Sequence, residues 1–197
     1  MSFSSSDFLF GSEIYLVENF KPKIRDVHCS AYRLQVRYTH DSEEMDIGKG
    51  TVFITGANGG LGSAIASQVA SQPEFAEYHG VYAVRDASSA PTLQSILSKN
   101  SSHSHDVLSL DLSDLDSVRQ AAKTINERVM AEIIPSIRVL ILNAGFQDFG
   151  KQIWTDDGLD VTFTANYLGH WLMTLLLLQS LDKNSGRIVV VGSQSHE

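Results

Sequence analysis

From residue 51 onward, short apolar runs rich in β-branched residues alternate with longer stretches of helical periodicity. This alternation is typical of βαβ units, in which parallel strands are covered on both faces and so read as continuous apolar runs. The pattern predicts strands at residues 51–55, 81–84, 107–110, 138–142 and 187–191, and helices at 61–71, 91–99, 115–131 and 159–181. We therefore expect an α/β fold, a Rossmann-like doubly wound parallel sheet of about five strands in three α/β/α layers.

Residues 1–50 lack this rhythm, being Ser-rich at the start and mixed in charge. Residues 32–38 (YRLQVRY) alternate apolar and polar side chains as a half-buried strand does. We interpret 1–50 as an N-terminal extension, and an edge strand, a loosely attached segment and a stretch without structural role all stay open. Residues 51–197 are expected to form one domain.

Composition and charge narrow the partners. The 197 residues are 43% hydrophobic and 19% charged, which is an ordinary globular balance. The formal net charge is −8, and the 15 Lys and Arg residues are scattered along the chain. A nucleic-acid-binding surface would need clustered positive charge. The sequence therefore favours a small-molecule partner over nucleic acid or anionic lipid, and no metal site is expected.

Targeting signals and cysteine usage suggest a compartment. Cys29 is the only cysteine, so an intrachain disulfide is excluded. No basic residue precedes Lys21, which argues against a secretory signal. The most apolar stretch, residues 171–181, is too short by itself to cross a bilayer as a helix. We expect a cytoplasmic protein without a membrane span.

A glycine-rich turn follows the first predicted strand of the domain. Residues 56–62 (GANGGLG) lead from TVFIT into a helical pattern. Such a turn lets the backbone approach a pyrophosphate and aims the first N–H groups of the helix at it. G-x-G-x-x-G is not present, and no Lys-Ser or Lys-Thr follows, which excludes a Walker A loop. The turn predicts phosphate binding of another type.

The turn resembles the cofactor motif of the short-chain dehydrogenase/reductase family. Thr55, Gly56, Gly60 and Gly62 match T-G-x-x-x-G-x-G. Because Gly59 is also a glycine, T-G-x-x-G-x-x-G of the extended, epimerase-like branch fits equally well. The turn leaves both branches open, and the resemblance implies that Asn58 and Leu61 also contact the cofactor.

Two further strand ends carry polar residues at the edge where ligands bind in open α/β sheets. Arg85 follows the second strand of the domain, where a cation suits the 2′-phosphate of NADP(H) and favours it over NAD(H). A solvated surface arginine is the alternative, and neighbouring Asp86 keeps it open. Asp111 and Leu112 resemble the family's Asp-hydrophobic pair, which implies a contact with the adenine amino group. The alternative for Asp111 is a helix N-cap, although Ser113 and Asp114 are better placed.

The fourth strand and the last helix resemble two more family segments. Asn143, Ala144 and Gly145 match N-A-G, which favours the reductase branch over the epimerase-like one. Asn166, in TANYLGHWLMT, resembles the family's N-x-x-G segment, and the resemblance implies that it holds a water in a proton relay. We interpret His170 as a residue of the helix face rather than a catalyst.

Residues 186–193 (GRIVVVGS) resemble the family's fifth strand running into the catalytic serine. The resemblance assigns that role to Ser193, with Ser195 a weaker candidate. The family's proton donor is a Tyr with a Lys four residues later, and none of the six tyrosines has a Lys at that position. We therefore expect a chain that is incomplete before the catalytic pair. Residues 187–191 would then be an exposed apolar edge, and the chain poorly soluble unless a partner covers it.

Together these residues predict an NADP(H)-dependent oxidoreductase that transfers a hydride to or from a carbonyl or alcohol substrate. A non-catalytic NADP-binding or regulatory protein of the same fold is the alternative, and a nucleotide-sugar epimerase is a more distant one. Residues 171–178 are apolar nearly all the way round a helix, so that one side is expected to face the sheet and the other a neighbour. Homo-oligomerisation is therefore a further expectation.

Overall fold

The structure, a computed structural model, describes residues 12–17, 50–148 and 150–193. Six strands and five α-helices form the described part: β1 (Ser12–Val17), β2 (Thr51–Thr55), α1 (Gly60–Ser71), β3 (His79–Val84), α2 (Pro91–Lys99), β4 (His105–Ser109), α3 (Leu115–Met130), β5 (Ile137–Leu142), α4 (Val161–Phe163), α5 (Gly169–Leu177) and β6 (Arg187–Ser193). Short 3-10 turns lie at Pro73–Phe75 and Leu178–Ser180. The strand at 32–38 predicted from alternation, Cys29 and Ser195 lie outside the described residues.

All six strands belong to one sheet with the order β1-β6-β5-β2-β3-β4. The five strands from β2 to β6 pair in parallel, which confirms the predicted sheet. The chain runs from β2 outward through β3 to β4, and then returns to the other side of β2 to form β5 and β6. The strand order therefore reverses beside β2, where ligands bind in folds of this type.

The expected exposed edge at residues 187–191 is wrong. β1 pairs antiparallel with β6 over its whole length, from Ser12 opposite Ser193 to Val17 opposite Ile188. Part of the N-terminal extension thus satisfies the backbone N–H and C=O groups along the outer side of β6. One of the three alternatives for residues 1–50, the edge strand, is present at residues 12–17.

Both faces of the sheet are covered, as the continuous apolar strands indicate. Every residue of β2 is buried, and its side chains alternate between two cores. Phe53 belongs to the core under α3 and α5, with Met173 and Leu177. Val52 and Ile54 belong to the core under α1 and α2. These two cores make the three-layer α/β/α arrangement.

The last helical run, the long helix (Val161–Ser180), combines α4, a π-helical turn at Thr164–Leu168, α5 and the final 3-10 turn. Its length corrects the sequence argument against a membrane span. At 20 residues with a mean hydropathy of 1.2, it is long and apolar enough to cross a bilayer by length and composition alone. Met173 and Leu177 are nevertheless buried in the core beneath α3 and α5, as in a helix that packs on a sheet.

Candidate functional site

A cleft of about 750 Å³ opens at the carboxyl ends of the central strands. Its lining includes every residue predicted to bind the cofactor except Thr55: Gly56, Asn58, Gly60, Leu61, Gly62, Arg85, Asp111, Leu112, Asn143, Ala144 and Gly145. Thr55 is buried at the end of β2. The fold thus brings together residues that are up to 90 positions apart in sequence, from Thr55 to Gly145.

The glycine turn passes so close to the end of β5 that two of its residues have no room for a side chain. Gly56 has φ +70°, and a Cβ there would lie 2.8 Å from the Cα of Ala144. A Cβ on Gly62 would collide with the carbonyl oxygen of Gly56 and lie 2.5 Å from Nδ2 of Asn143. Both distances are shorter than any ordinary van der Waals contact. Glycine is therefore required at both positions.

The other two glycines of the turn differ from each other. Gly60 has φ +38°, a backbone conformation that favours glycine. Gly59 is extended at φ −114°, and a Cβ there meets nothing within 4 Å. The requirement for glycine thus falls on positions 56, 60 and 62, which is the T-G-x-x-x-G-x-G pattern.

The turn and the end of β5 are tied together by side chains beneath the cleft. The Thr55 hydroxyl accepts hydrogen bonds from the backbone N–H groups of Asn143 at 2.9 Å and Ala144 at 3.0 Å. Nδ2 of Asn143 donates to the carbonyl oxygen of Thr55 at 3.0 Å. These bonds fix the backbone that forms one wall of the cleft.

Asn58, also assigned to the cofactor, has a second task. Its side-chain oxygen accepts a hydrogen bond from the backbone N–H of Leu93 at 3.1 Å, in the first turn of α2. The residue lines the cleft and links the glycine turn to the neighbouring helix.

The Arg85 side chain, which also lines the cleft, is 69% exposed. Its Nε lies 3.9 Å from a carboxylate oxygen of Asp111, and its guanidinium carbon lies 5.8 Å from the centre of the Phe146 ring. Contacts at these distances between exposed groups are weak, so the guanidinium stays available to a ligand. Arg85 is thus placed between an anion and an aromatic ring at the mouth of the cleft.

The acidic neighbour of Arg85 is turned into its own loop. A carboxylate oxygen of Asp86 accepts from the backbone N–H of Ser88 at 2.9 Å and from its hydroxyl at 2.6 Å. These bonds lower the pKa of Asp86, the side-chain bond contributing most. Asp86 is therefore a charged turn residue rather than a partner of Arg85.

Asp114, rather than Asp111, caps α3, as the sequence suggested. Asp114 is the N-cap of α3 and accepts from the backbone N–H groups of Asp116 and Ser117. Asp111 instead accepts from the backbone N–H and hydroxyl of Ser113 through one oxygen, while its other oxygen lies toward Arg85. Leu112, next to it, is buried.

Asn166 lies in the π-helical turn, beside Gly145. A Cβ built on Gly145 would lie 3.6 Å from the side-chain oxygen of Asn166. That oxygen accepts from the backbone N–H of Phe146 at 3.0 Å, and its Nδ2 donates to the carbonyl oxygen of Phe146 at 2.7 Å. Both ends of the side-chain amide therefore bind the backbone after β5. The π turn interrupts normal helix bonding at this residue, and the water-binding role stays a prediction.

The predicted catalytic serine lies at the end of β6, where its backbone is opposite Ser12. The Ser193 side chain and Ser195 lie outside the described residues. Among the residues that the structure describes, no three or more His, Cys, Asp or Glu side chains are placed to hold a metal ion.

Phe146 and His170 belong to the site but were not identified as site residues from the sequence. Phe146 lines the cleft next to Arg85. His170, interpreted as a helix-face residue, is buried, with Nε2 3.0 Å from Oγ1 of Thr55, and burial lowers its pKa. Its position four residues after Asn166 in an otherwise apolar segment was the available signal.

The model of the family described as short chain dehydrogenase matches residues 50–197. The chain is 51% identical over 153 residues to the short-chain dehydrogenase iccH of Talaromyces variabilis, covering 76% of this chain and 42% of that protein. It is 35% identical over 153 residues to the chloroplastic protochlorophyllide reductase of Daucus carota, covering 74% of this chain and 35% of that protein. The chain thus spans less than half the length of these two relatives.

Solved structures are similar as well. An alcohol dehydrogenase from the archaeon Thermococcus sibiricus, complexed with 5-hydroxy-NADP, is 26% identical with a TM-score of 0.53, covering 70% of this chain and 55% of that chain. A metagenomic short-chain oxidoreductase in complex with NADP is 22% identical with a TM-score of 0.52, covering 68% of this chain and 55% of that chain. At that identity the second similarity supports the fold alone, and it agrees with the predicted Rossmann-like sheet.

Proposed function

The chain belongs to the short-chain dehydrogenase family, and from that premise we propose that it is an NADP(H)-dependent oxidoreductase of carbonyl and alcohol groups. The observation that carries the proposal is the cleft itself. Its glycine turn has no room for a side chain at Gly56 and Gly62, and the exposed Arg85 also lines it.

The glycine turn fits a pyrophosphate. Gly60, Leu61 and Gly62 form the first turn of α1 and line the cleft, and that turn has no side-chain cap and no acidic residue. The first N–H groups of a helix have no partner within the helix, and they sit at the positive end of its dipole. Open space above Gly59 and Gly60 leaves room for phosphate oxygens to approach these groups.

The arginine end fits a 2′-phosphate. A guanidinium presents a fork of N–H donors that matches phosphate geometry, and the one on Arg85 is held only loosely by Asp111. The carboxylate of Asp86, which would favour a ribose hydroxyl over a phosphate, is hydrogen-bonded to Ser88 instead. The Thermococcus sibiricus neighbour, complexed with 5-hydroxy-NADP, adds support for NADP(H) over NAD(H).

When bound, NADP(H) would supply or accept the hydride, and the proton would be exchanged with the Tyr of the family's Tyr and Lys pair. The residues of this chain bind and orient the cofactor: Thr55 and Asn143 hold the wall of the cleft, and Arg85 selects the phosphorylated ribose. Ser193 is proposed to donate a hydrogen bond to the carbonyl oxygen of the substrate, at the end of the strand beside β5. Asn166 is proposed to keep the adjacent backbone in place.

The reaction is tested with NADPH that carries deuterium at the transferable position and a panel of aldehydes and ketones, on the 197-residue chain extended by a downstream segment of the family that carries the Tyr and Lys pair. Deuterium found on the carbinol carbon of a product supports the oxidoreductase. NADPH binding without any label transfer across the panel contradicts it and supports the alternative, a non-catalytic NADP-binding protein.

Self-association is part of the proposal. Large apolar side chains remain exposed along one side of the long helix: Phe163, Tyr167, Trp171, Leu175 and Leu178. They recur at intervals of three or four residues, so they form a row on one helix face. A two-fold axis would pair this row with the same row of a second copy. Light scattering that gives a dimer for the wild type and a monomer for Trp171→Arg supports this, and a wild-type monomer overturns it.

A further inference from the structure

His170 lies beneath the floor of the cleft, where α5 packs on the ends of β2 and β5. The residue is only 7% exposed. Its Nε2 is 3.0 Å from Oγ1 of Thr55, and its Nδ1 is 3.3 Å from the carbonyl oxygen of Asn166 in the preceding turn. Both ring nitrogens therefore have a polar partner, as buried polar groups require.

The Thr55 hydroxyl decides which way these hydrogen bonds run. A hydroxyl offers one proton and two acceptor positions. The backbone N–H groups of Asn143 and Ala144 can only donate, at 2.9 Å and 3.0 Å, and they occupy both acceptor positions. The hydroxyl proton must therefore be donated elsewhere.

Two acceptors are near enough to receive that proton. Nε2 of His170 is 3.0 Å from the Thr55 oxygen, whereas the carbonyl oxygen of Ile141 is 3.4 Å away. An O–H donor prefers a partner within about 3.0 Å. The shorter distance assigns the proton to His170, whose Nε2 then carries no hydrogen.

This assignment fixes the charge and the tautomer of His170. With Nε2 as acceptor, the ring is neutral and its hydrogen is on Nδ1, where it points at the carbonyl oxygen of Asn166. Burial lowers the pKa of His170, which favours the same neutral state. The hydrogen-bond geometry and the burial of the ring thus both favour neutral His170.

We propose that His170 is a positioning residue for cofactor binding, acting through Thr55. By accepting the hydroxyl proton, it turns both acceptor positions of Thr55 toward the amides of Asn143 and Ala144. That backbone lines the cleft and lies against Gly56. The inference rests on the proposed function, because the cleft wall that His170 steadies is the wall that would contact NADP(H).

If His170 only filled space, loss of its Nε2 acceptor would not change the affinity for NADPH. Two variants distinguish this possibility from a positioning role. Leu fills the volume without an acceptor, whereas the side-chain oxygen of Gln can replace Nε2 without being ionisable. We expect His170→Leu to weaken NADPH binding about 2- to 10-fold, the range of one hydrogen bond. We expect His170→Gln to retain affinity within about 2-fold. Equal affinities for the Leu and Gln variants would overturn the proposal.

A double-mutant cycle tests the route through Thr55. NADPH dissociation constants are measured for the wild type, Thr55→Val, His170→Leu and the double variant, with thermal melts to confirm folding. Because His170 acts on the hydroxyl, adding His170→Leu to Thr55→Val should change the affinity by less than 2-fold. Independent, additive losses would overturn the proposal. His105→Gln, which changes a histidine near the start of β4, should leave the affinity unchanged.

Nitrogen NMR of the cofactor-free chain provides a readout that does not depend on binding. Donation of the Thr55 hydroxyl proton to Nε2 requires the hydrogen of His170 to be on Nδ1, and a hydrogen on Nε2 would contradict the proposal. If the wild type did not bind NADPH at all, the proposed function would be contradicted. If the wild type bound NADPH but His170 carried its hydrogen on Nε2, only the role of His170 would be contradicted.

Discussion

The side-chain oxygen of Asn58 caps α2 from another element, accepting a hydrogen bond from the backbone N–H of Leu93 at 3.1 Å. α2 begins with Pro91, and its N-cap residue, Ala90, has no side-chain acceptor. The first N–H groups of a helix need partners from outside it. Asn58 supplies one, so the glycine turn and α2 are coupled by one side chain.

This coupling predicts that stability and cofactor affinity separate at position 58. Asn58→Ala removes the acceptor and should lower the free energy of unfolding by about 1 kcal/mol. Asn58→Asp keeps an acceptor and adds a negative charge, which is favoured at a helix N-terminus, so the free energy of unfolding should not fall below that of the wild type. The same charge in the cleft should weaken NADPH binding. Urea unfolding and NADPH titration of both variants check this, and an Asp variant that binds as tightly as the wild type would refute it.

The glycine turn predicts a sharp difference between two neighbouring positions. Gly62→Ala places a Cβ against the Gly56 carbonyl and 2.5 Å from Nδ2 of Asn143, so the turn must open. Gly59→Ala meets nothing within 4 Å and needs no unusual φ. We expect a melting temperature near that of the wild type for Gly59→Ala and a clear decrease, with loss of NADPH binding, for Gly62→Ala. Equal melting temperatures would mean that the turn does not have this geometry.

The pH dependence of stability follows from two buried histidines. Burial lowers the pKa of His103 and His170 from the usual 6.5, and for His103 the nearby His105 and His79 lower it further. The unfolded chain therefore binds more protons than the folded chain just below pH 6.5. The free energy of unfolding should fall as the pH drops from 6.5 toward the lower folded values. In urea titrations across this range, the double variant His103→Gln/His170→Gln should lose less stability than the wild type, and an unchanged slope would contradict the assignment.

The aromatic ring beside Arg85 predicts a small, selective effect. Phe146→Leu removes the ring that lies 5.8 Å from the guanidinium carbon. A cation–π contact at an exposed site contributes about 0.5–1 kcal/mol, so NADPH binding should weaken about 2- to 5-fold. NADH has no 2′-phosphate to be held by Arg85, and its affinity should not change. Phe146→Tyr keeps the ring and serves as the control. Equal losses for both cofactors would assign Phe146 a different role.

Much of the fold could be predicted because the parallel strands carry a strong local pattern. β2 is apolar on both faces, and Pro91 and Asp114 mark helix starts that the structure confirms. β1 was not predicted, because its pairing with β6 is a tertiary contact and the surrounding sequence has no strand rhythm. The first residues of β3 and β4 are polar, so both strands begin two residues before their apolar runs.

The site, too, could be predicted only in part from the sequence. The residues that line the cleft follow directly from motifs at strand ends, where chain position determines location. His170 could not be placed because the π-helical turn at Thr164–Leu168 changes the phase of the helix, and a period of 3.6 no longer gives the face that meets Thr55. The ring of Phe146 depends on its backbone being held by Asn166, a contact between two separate elements.

Selectivity for NADP(H) is tested most directly by titrating the wild type and Arg85→Ala with NADPH and with NADH. A charge-assisted hydrogen bond contributes about 1.5–3 kcal/mol, so Arg85→Ala should weaken NADPH binding roughly 10- to 100-fold and leave NADH binding unchanged. Arg85→Lys, which keeps the charge but not the fork, should fall between. Tighter binding of NADH by the wild type, or unchanged NADPH binding in Arg85→Ala, would contradict the account.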